Sequence, residues 1–147
     1  MKKLAAVLAG VWLGLQLGMG YVAAPLLFQN LERMQAGGLA GVLFNVVAYF
    51  GLAVWLLVYA VYKMHAERGY TRSYTPKWIV LLLVLLAVNQ FLITPVIEAH
   101  KAGESNWLLG LIGGSFGQWH GVSSIVYMVC SVIGLGLVFR LLKLDTD

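Results

Sequence analysis

His120, Ser123, Ser124, Tyr127, Ser131 and Gly134 recur at helical spacing, so on a helix they form one stripe of small and polar side chains. His120 is the group in that stretch that titrates near neutral pH, and its ring nitrogens can carry a proton or ligate a metal. His100 lies twenty residues earlier, with Glu98 close by. Two imidazoles and a carboxylate suit zinc or copper, which makes His120 and His100 candidate metal ligands. Haem held between spans usually takes histidines from facing helices, and His120 alone offers itself for that. Met128 and Cys130 are two apart and point to different helix faces, so by themselves they make no soft-metal pair. Asn89, Gln90 and Thr94, then Asn45 and Tyr49, then Gln16, add amides and hydroxyls from three other stretches. Paired carboxylates and an HExxH motif are missing from the sequence. Ser123 and Ser124 follow His120 with no nearby acid to orient the imidazole, so an enzyme is the least favoured reading.

The elements that must position these groups follow from composition. Of 147 residues, 61% are hydrophobic and 11% charged, and the mean hydropathy is +0.84. A soluble domain carries about 25% charged residues. This balance excludes a soluble multidomain enzyme, a disordered chain and a nucleic-acid binder. Residues 4–28, 36–62, 78–97 and 119–139 contain no Asp, Glu, Lys or Arg. Each meets the requirement of about 20 apolar residues for a membrane crossing. The connections at 29–35, 63–77 and 98–118 are short, which makes successive helices antiparallel neighbours. The expectation is an all-α, integral membrane, up-down four-helix bundle forming one domain over 1–147.

Charge sets the orientation. Lys2, Lys3, Lys63, Arg68, Arg72, Lys77, Arg140 and Lys143 fall on one side, against Arg33 and Lys101 on the other. The basic side stays cytoplasmic, so both termini are expected inside a bacterial inner membrane. The net charge of +4 is then a topology signal and calls for no acidic partner. Arg68, Arg72 and Lys77, interleaved with Tyr70 and Tyr74, are candidate contacts for lipid headgroups. A cleaved leader is disfavoured, because Pro25 would directly follow the small residues of the cut. The single cysteine, Cys130, closes no intrachain disulfide.

Three patterns bear on architecture. Tyr21-Val-Ala-Ala-Pro25 and Phe91-Leu-Ile-Thr-Pro95 each place an aromatic four residues before a proline, and Ala36-Gly37 and Ala102-Gly103 follow. Two parallel helical-hairpin repeats would explain this. Gly10, Gly14 and Gly18 share a face suited to close helix packing. Residues 107–115, rich in glycine, read as an interfacial segment because 107–139 is too long for one crossing.

With that topology Asn45, Asn89, Gln90, His120, Ser123 and Ser124 fall in the outer half of the membrane and Gln16 near its middle. These residues form the expected polar cluster. Polar residues inside a membrane mark substrate or ion paths, which points to transport of, or resistance to, a small solute or metal cation. Four helices rarely enclose a path alone, so a homo-oligomer or a partner membrane protein is implied. Two alternatives stand beside this. The amides could only lock the helices, at about 0.6 kcal/mol each, leaving an accessory or scaffold role. The histidines could instead serve a metal- or haem-binding redox protein.

His120-Gly121-Val122-Ser123-Ser124 preceded by Phe116, Val88-Asn89 followed by Pro95, and Gln16 followed by Leu27-Phe28 resemble the signature of the transmembrane-protein-205-like family. Its bacterial members carry domain of unknown function 4149. The resemblance implies four membrane helices, and the animal relative is associated with resistance to platinum drugs. It singles out Gln16, Asn89, Pro95, His120, Gly121, Ser123 and Ser124. The chain departs from the animal relative in a shorter second half and fewer cysteines, which argues against capture of soft metals by thiols.

Overall fold

The computed structural model describes residues 2–66 and 74–143, whose regular structure is entirely helical. Helix α1 (Lys2–Gly18) runs through a π-helical turn (Met19–Ala23) into α2 (Ala24–Asn30), and α3 (Arg33–Ala66) follows. Helix α4 (Thr75–Val88) runs through a second π turn (Asn89–Ile93) into α5 (Thr94–Ala102). A short α6 (Trp107–Ile112) precedes α7 (Phe116–Lys143). Four rods result, Lys3–Asn30, Arg33–Met64, Thr75–Ala102 and Phe116–Lys143, each long and apolar enough to cross a membrane. At 1.5 Å per residue the shorter rods reach about 42 Å, beyond the roughly 30 Å of hydrocarbon. They therefore overrun, at both ends, the limits read from apolarity alone.

The third rod differs from expectation at each end. Thr75 is its first residue and is fully buried, while the preceding Tyr74 makes no side-chain cap bond. Pro76 still sits in the first turn, where its missing N–H costs no intrahelical bond. At the far end the rod runs past Pro95 to Ala102, because the π turn just before it absorbs the proline. Gly103, at φ 68°, then stops it in the left-handed conformation that suits glycine.

The 107–115 segment is a short exposed helix between caps. Asn106 Oδ1 accepts from the N–H groups of Leu108 at 2.9 Å and Leu109 at 3.3 Å. A reciprocal pair then starts α7. The Gln118 N–H donates to Ser115 Oγ at 3.3 Å, and the Ser115 N–H donates to Gln118 Oε1 at 2.8 Å. That capping box fixes the direction in which the last rod enters the bundle.

The rods pack as a square. Helix α1 lies against α3 and α7, and α4 lies against the same two. Trp12 stands at the centre with no exposed surface, edge-on to Trp55 at 5.5 Å, and its Nε1 donates to Val47 O at 3.2 Å. Gly51 and Gly134 make room for that indole, since a Cβ on Gly134 would lie 2.6 Å from the ring. Gly10, Gly14 and Gly18 do not serve as the close-packing face expected of them. A Cβ at any of the three would meet no neighbouring atom within 4 Å. Beyond the π turns the square loosens into pairs, α2 chiefly on α3 and α5 chiefly on α7.

Candidate functional site

The two π turns lie seventy residues apart, at Met19–Ala23 and Asn89–Ile93, and a proline stands at the second residue of the helix after each. Proline lacks an N–H, and its ring clashes with the carbonyl four residues back. A π turn re-spaces the backbone and relieves that clash. The Ala24 N–H reaches Met19 O, and the Thr94 N–H reaches Asn89 O, both five residues back. Thr94 Oγ1 adds a second donor to Asn89 O at 2.9 Å. The sequence repeat at Tyr21/Pro25 and Phe91/Pro95 is thus a repeat of one backbone device.

Asn89 and Gln90 open the second π turn and diverge. Successive residues on a helix point about 100° apart, and the third rod has α3 on one side and α7 on the other. Gln90 Nε2 donates to Asn45 Oδ1 on α3 at 2.9 Å. Ser123 Oγ on α7 donates to Asn89 Oδ1 at 2.9 Å. Four of the expected cluster residues therefore meet as two pairs, tying the second rod to the third and the third to the fourth. Nearer the end of the same rods, Lys101 Nζ donates to Glu98 Oε1 at 2.9 Å and to Gly37 O at 3.4 Å.

Gln16 lies just before the first π turn, with 1% of its surface exposed. Its backbone carbonyl accepts the Tyr127 hydroxyl across the bundle. The Tyr127 ring occupies the place a Cβ on Gly20 would take, and it packs against Phe44 at 5.3 Å and Tyr21 at 6.3 Å. Gln16 Nε2 is buried with no hydrogen-bond partner among the described residues, and Trp55 Nε1 shares that state. An unpaired buried donor costs about 1–3 kcal/mol, so this amide is a group waiting for an acceptor.

His120 and Ser124 depart from the expected cluster. Both are on the exposed side of α7, and Ser124 Oγ donates to the carbonyl of His120 at 2.9 Å, within its own helix. The His120 ring stacks on Phe116 at 5.7 Å, and His100 meets the same phenyl edge-on at 6.4 Å. The two imidazoles are thus held by a shared aromatic ring. Among the described residues there is no group of three His, Cys, Asp or Glu placed to hold a metal ion. Of the headgroup candidates, Arg68 and Arg72 lie outside the described residues, and Lys77 is exposed beside the Tyr74 ring.

Domain of unknown function DUF4149 matches residues 7–106. The chain belongs to the DUF4149 family. It is also 32% identical over 147 residues to a protein of Aquifex aeolicus (strain VF5) described as an uncharacterized protein, covering 96% of each chain. No solved structure matches it. The DUF4149 segment takes in both π turns together with Gln16, Asn45, Asn89 and Gln90, whereas Ser123 and Tyr127 come from the rod beyond it. Apart from Gln16, the candidate cluster holds neutral amides and hydroxyls that close on one another, joined to the backbone at each π turn. Its chemistry is hydrogen bonding without fixed charge. Sequence reasoning missed Tyr127 as a site residue and Trp55 as a buried donor. The polar stripe of the last span pointed to the first, and nothing in the sequence pointed to the second.

Proposed function

We propose that this DUF4149 protein binds a small hydrogen-bonding solute at the level of the π turns and passes it across a bacterial inner membrane, with both termini cytoplasmic. The observation that carries this reading is the Gln16 amide, buried beside a broken helix with no partner for Nε2 among the described residues. Broken membrane helices in related positions of two repeats are a recurring setting for solute sites, and π turns are frequent at functional positions. The neutral character of Gln16, Asn45, Asn89, Gln90 and Ser123 favours an uncharged or oxygen-rich solute over a bare metal cation, which would want carboxylates or imidazoles. Four rods are few for a closed path, so a second copy completes it. The exposed His120 and Ser124 are in place to face that copy. A resistance role of the kind associated with transmembrane-protein-205-like proteins is compatible with the same site.

The test is flux into proteoliposomes of glycerol, urea, rubidium, zinc and tetraphenylphosphonium, for the native chain and Gln16→Met. The expectation is passage of a small uncharged solute, reduced by about tenfold in the variant, the worth of one hydrogen bond. Equal flux in both proteins would remove Gln16 from the path. A second reading has its own observation. The closed pairs Gln90–Asn45 and Ser123–Asn89 are what a scaffold would use to lock its helices, and it predicts no solute-specific flux at all.

A further inference from the structure

We propose that the groove between the end of α3 and the start of α4 binds an anionic phospholipid. The groove is open, about 410 Å³ in volume, and is lined by Tyr59, Lys63, Pro76, Lys77 and Val80. Lys63 and Lys77 are exposed, and among the described residues neither has an acidic partner. The Lys77 ammonium lies 5.5 Å from the centre of the Tyr74 ring, an attraction that restrains it. Tyr59 is one helical turn further into the bilayer than Lys63, and Val80 nearly one turn further than Lys77. At 1.5 Å per residue the apolar walls therefore begin about 4.5–6 Å beneath the two charges. That order matches a phospholipid, with phosphate at the lysines and acyl chain along Tyr59 and Val80. A free phosphate would satisfy the ammonium groups and leave the apolar walls uncovered, which is why the lipid is the assigned occupant. In the sequence, residues 63–77 hold Lys63, Arg68, Arg72 and Lys77 against Glu67, a basic excess of the kind that draws anionic lipid.

The experiment is native mass spectrometry of the full chain titrated with phosphatidylglycerol or phosphatidylcholine, with inorganic phosphate as a soluble competitor. Each lysine near an anionic headgroup contributes roughly fivefold, so phosphatidylglycerol is expected to bind about twenty-five-fold tighter than phosphatidylcholine. Lys63→Gln with Lys77→Gln removes that preference. Lys3→Gln with Lys101→Gln, which takes away the same charge elsewhere, preserves it. Val80→Trp fills the apolar floor and weakens phosphatidylglycerol with both lysines present, and millimolar phosphate displaces nothing. The proposal is overturned by equal binding of the two lipids, by a preference that survives the Lys63/Lys77 pair, or by its loss in the control pair. Displacement by phosphate would reassign the groove to a soluble anion, and an indifferent Val80→Trp would remove the acyl-chain contact.

Discussion

Replacing Gln16 with methionine should make the protein more stable. Methionine keeps the unbranched reach of glutamine and removes the donor that has no acceptor among the described residues. Burying an unpaired amide costs about 1–3 kcal/mol in water-soluble proteins. In a membrane the unfolded helix finds hydrogen-bond partners of its own, so single polar contacts average nearer 0.6 kcal/mol. A gain of about 1 kcal/mol is therefore expected, close to a fivefold shift in the folding equilibrium. The carbonyl of Gln16, which receives the Tyr127 hydroxyl, is untouched by this change. Tyr127→Phe, which removes a bond to that carbonyl and not to the side chain, should therefore destabilise the protein in either background, with the double variant measuring the coupling between the two contacting residues. Reversible unfolding in mixed micelles with increasing dodecyl sulfate measures all four proteins. A less stable Gln16→Met, by as much as a paired amide such as Gln90→Met loses, would refute the reasoning. It would mean that Gln16 is already satisfied.

Other expectations follow from the same geometry. Ser123→Ala and Asn89→Leu should each lose about 0.6–1.7 kcal/mol in that unfolding assay, the range for hydrogen bonds between membrane helices, and the double variant should lose little more than Asn89→Leu alone. Gly134→Ala places a methyl 2.6 Å from the fixed Trp12 ring, and overpacking of this kind costs about 1–3 kcal/mol, whereas Gly14→Ala on the open face should be neutral or better. Cys130, with 1% of its surface exposed, should stay unlabelled by maleimide in membranes and react once the bundle is unfolded. Single cysteines at Lys3 and Lys143, in a Cys130→Ala background, should both be shielded from an impermeant maleimide in intact cells. Labelling of either from outside would contradict the proposed orientation.

The four rods were readable because hydrocarbon leaves so few options: a charge-free run of twenty or more residues has to be a helix. The aromatic and proline spacing of Tyr21/Pro25 and Phe91/Pro95 was readable as a repeat, but that each copy carries a π turn was not. Rotation of α7 about its own axis was not readable. That helix is nearly as apolar on one side as on the other, so the sequence assigned His120 and Ser124 to the interior together with Ser123, and only packing separates them. The glycines show a related limit. The Gly10, Gly14 and Gly18 run looked like a contact face, while the close approaches occur at Gly20, Gly51 and Gly134, where a large ring on another helix happens to arrive. The match of Gln90 to Asn45, forty-five residues away in the chain, is likewise a product of the square arrangement and has no local signature.

Each π turn has a consequence for how the helices before and after it are drawn. One residue beyond the ordinary repeat advances the angular phase by about 100°, so a single helical wheel cannot describe either broken rod. The stripe that faces lipid along α1 is a different stripe along α2, and the same slip separates α4 from α5. A substitution scan averaged across residue 20 or residue 90 would blur two ordered patterns into apparent randomness. Plotted with the wheel restarted at each slip, the tolerated positions should fall into two compact arcs per rod.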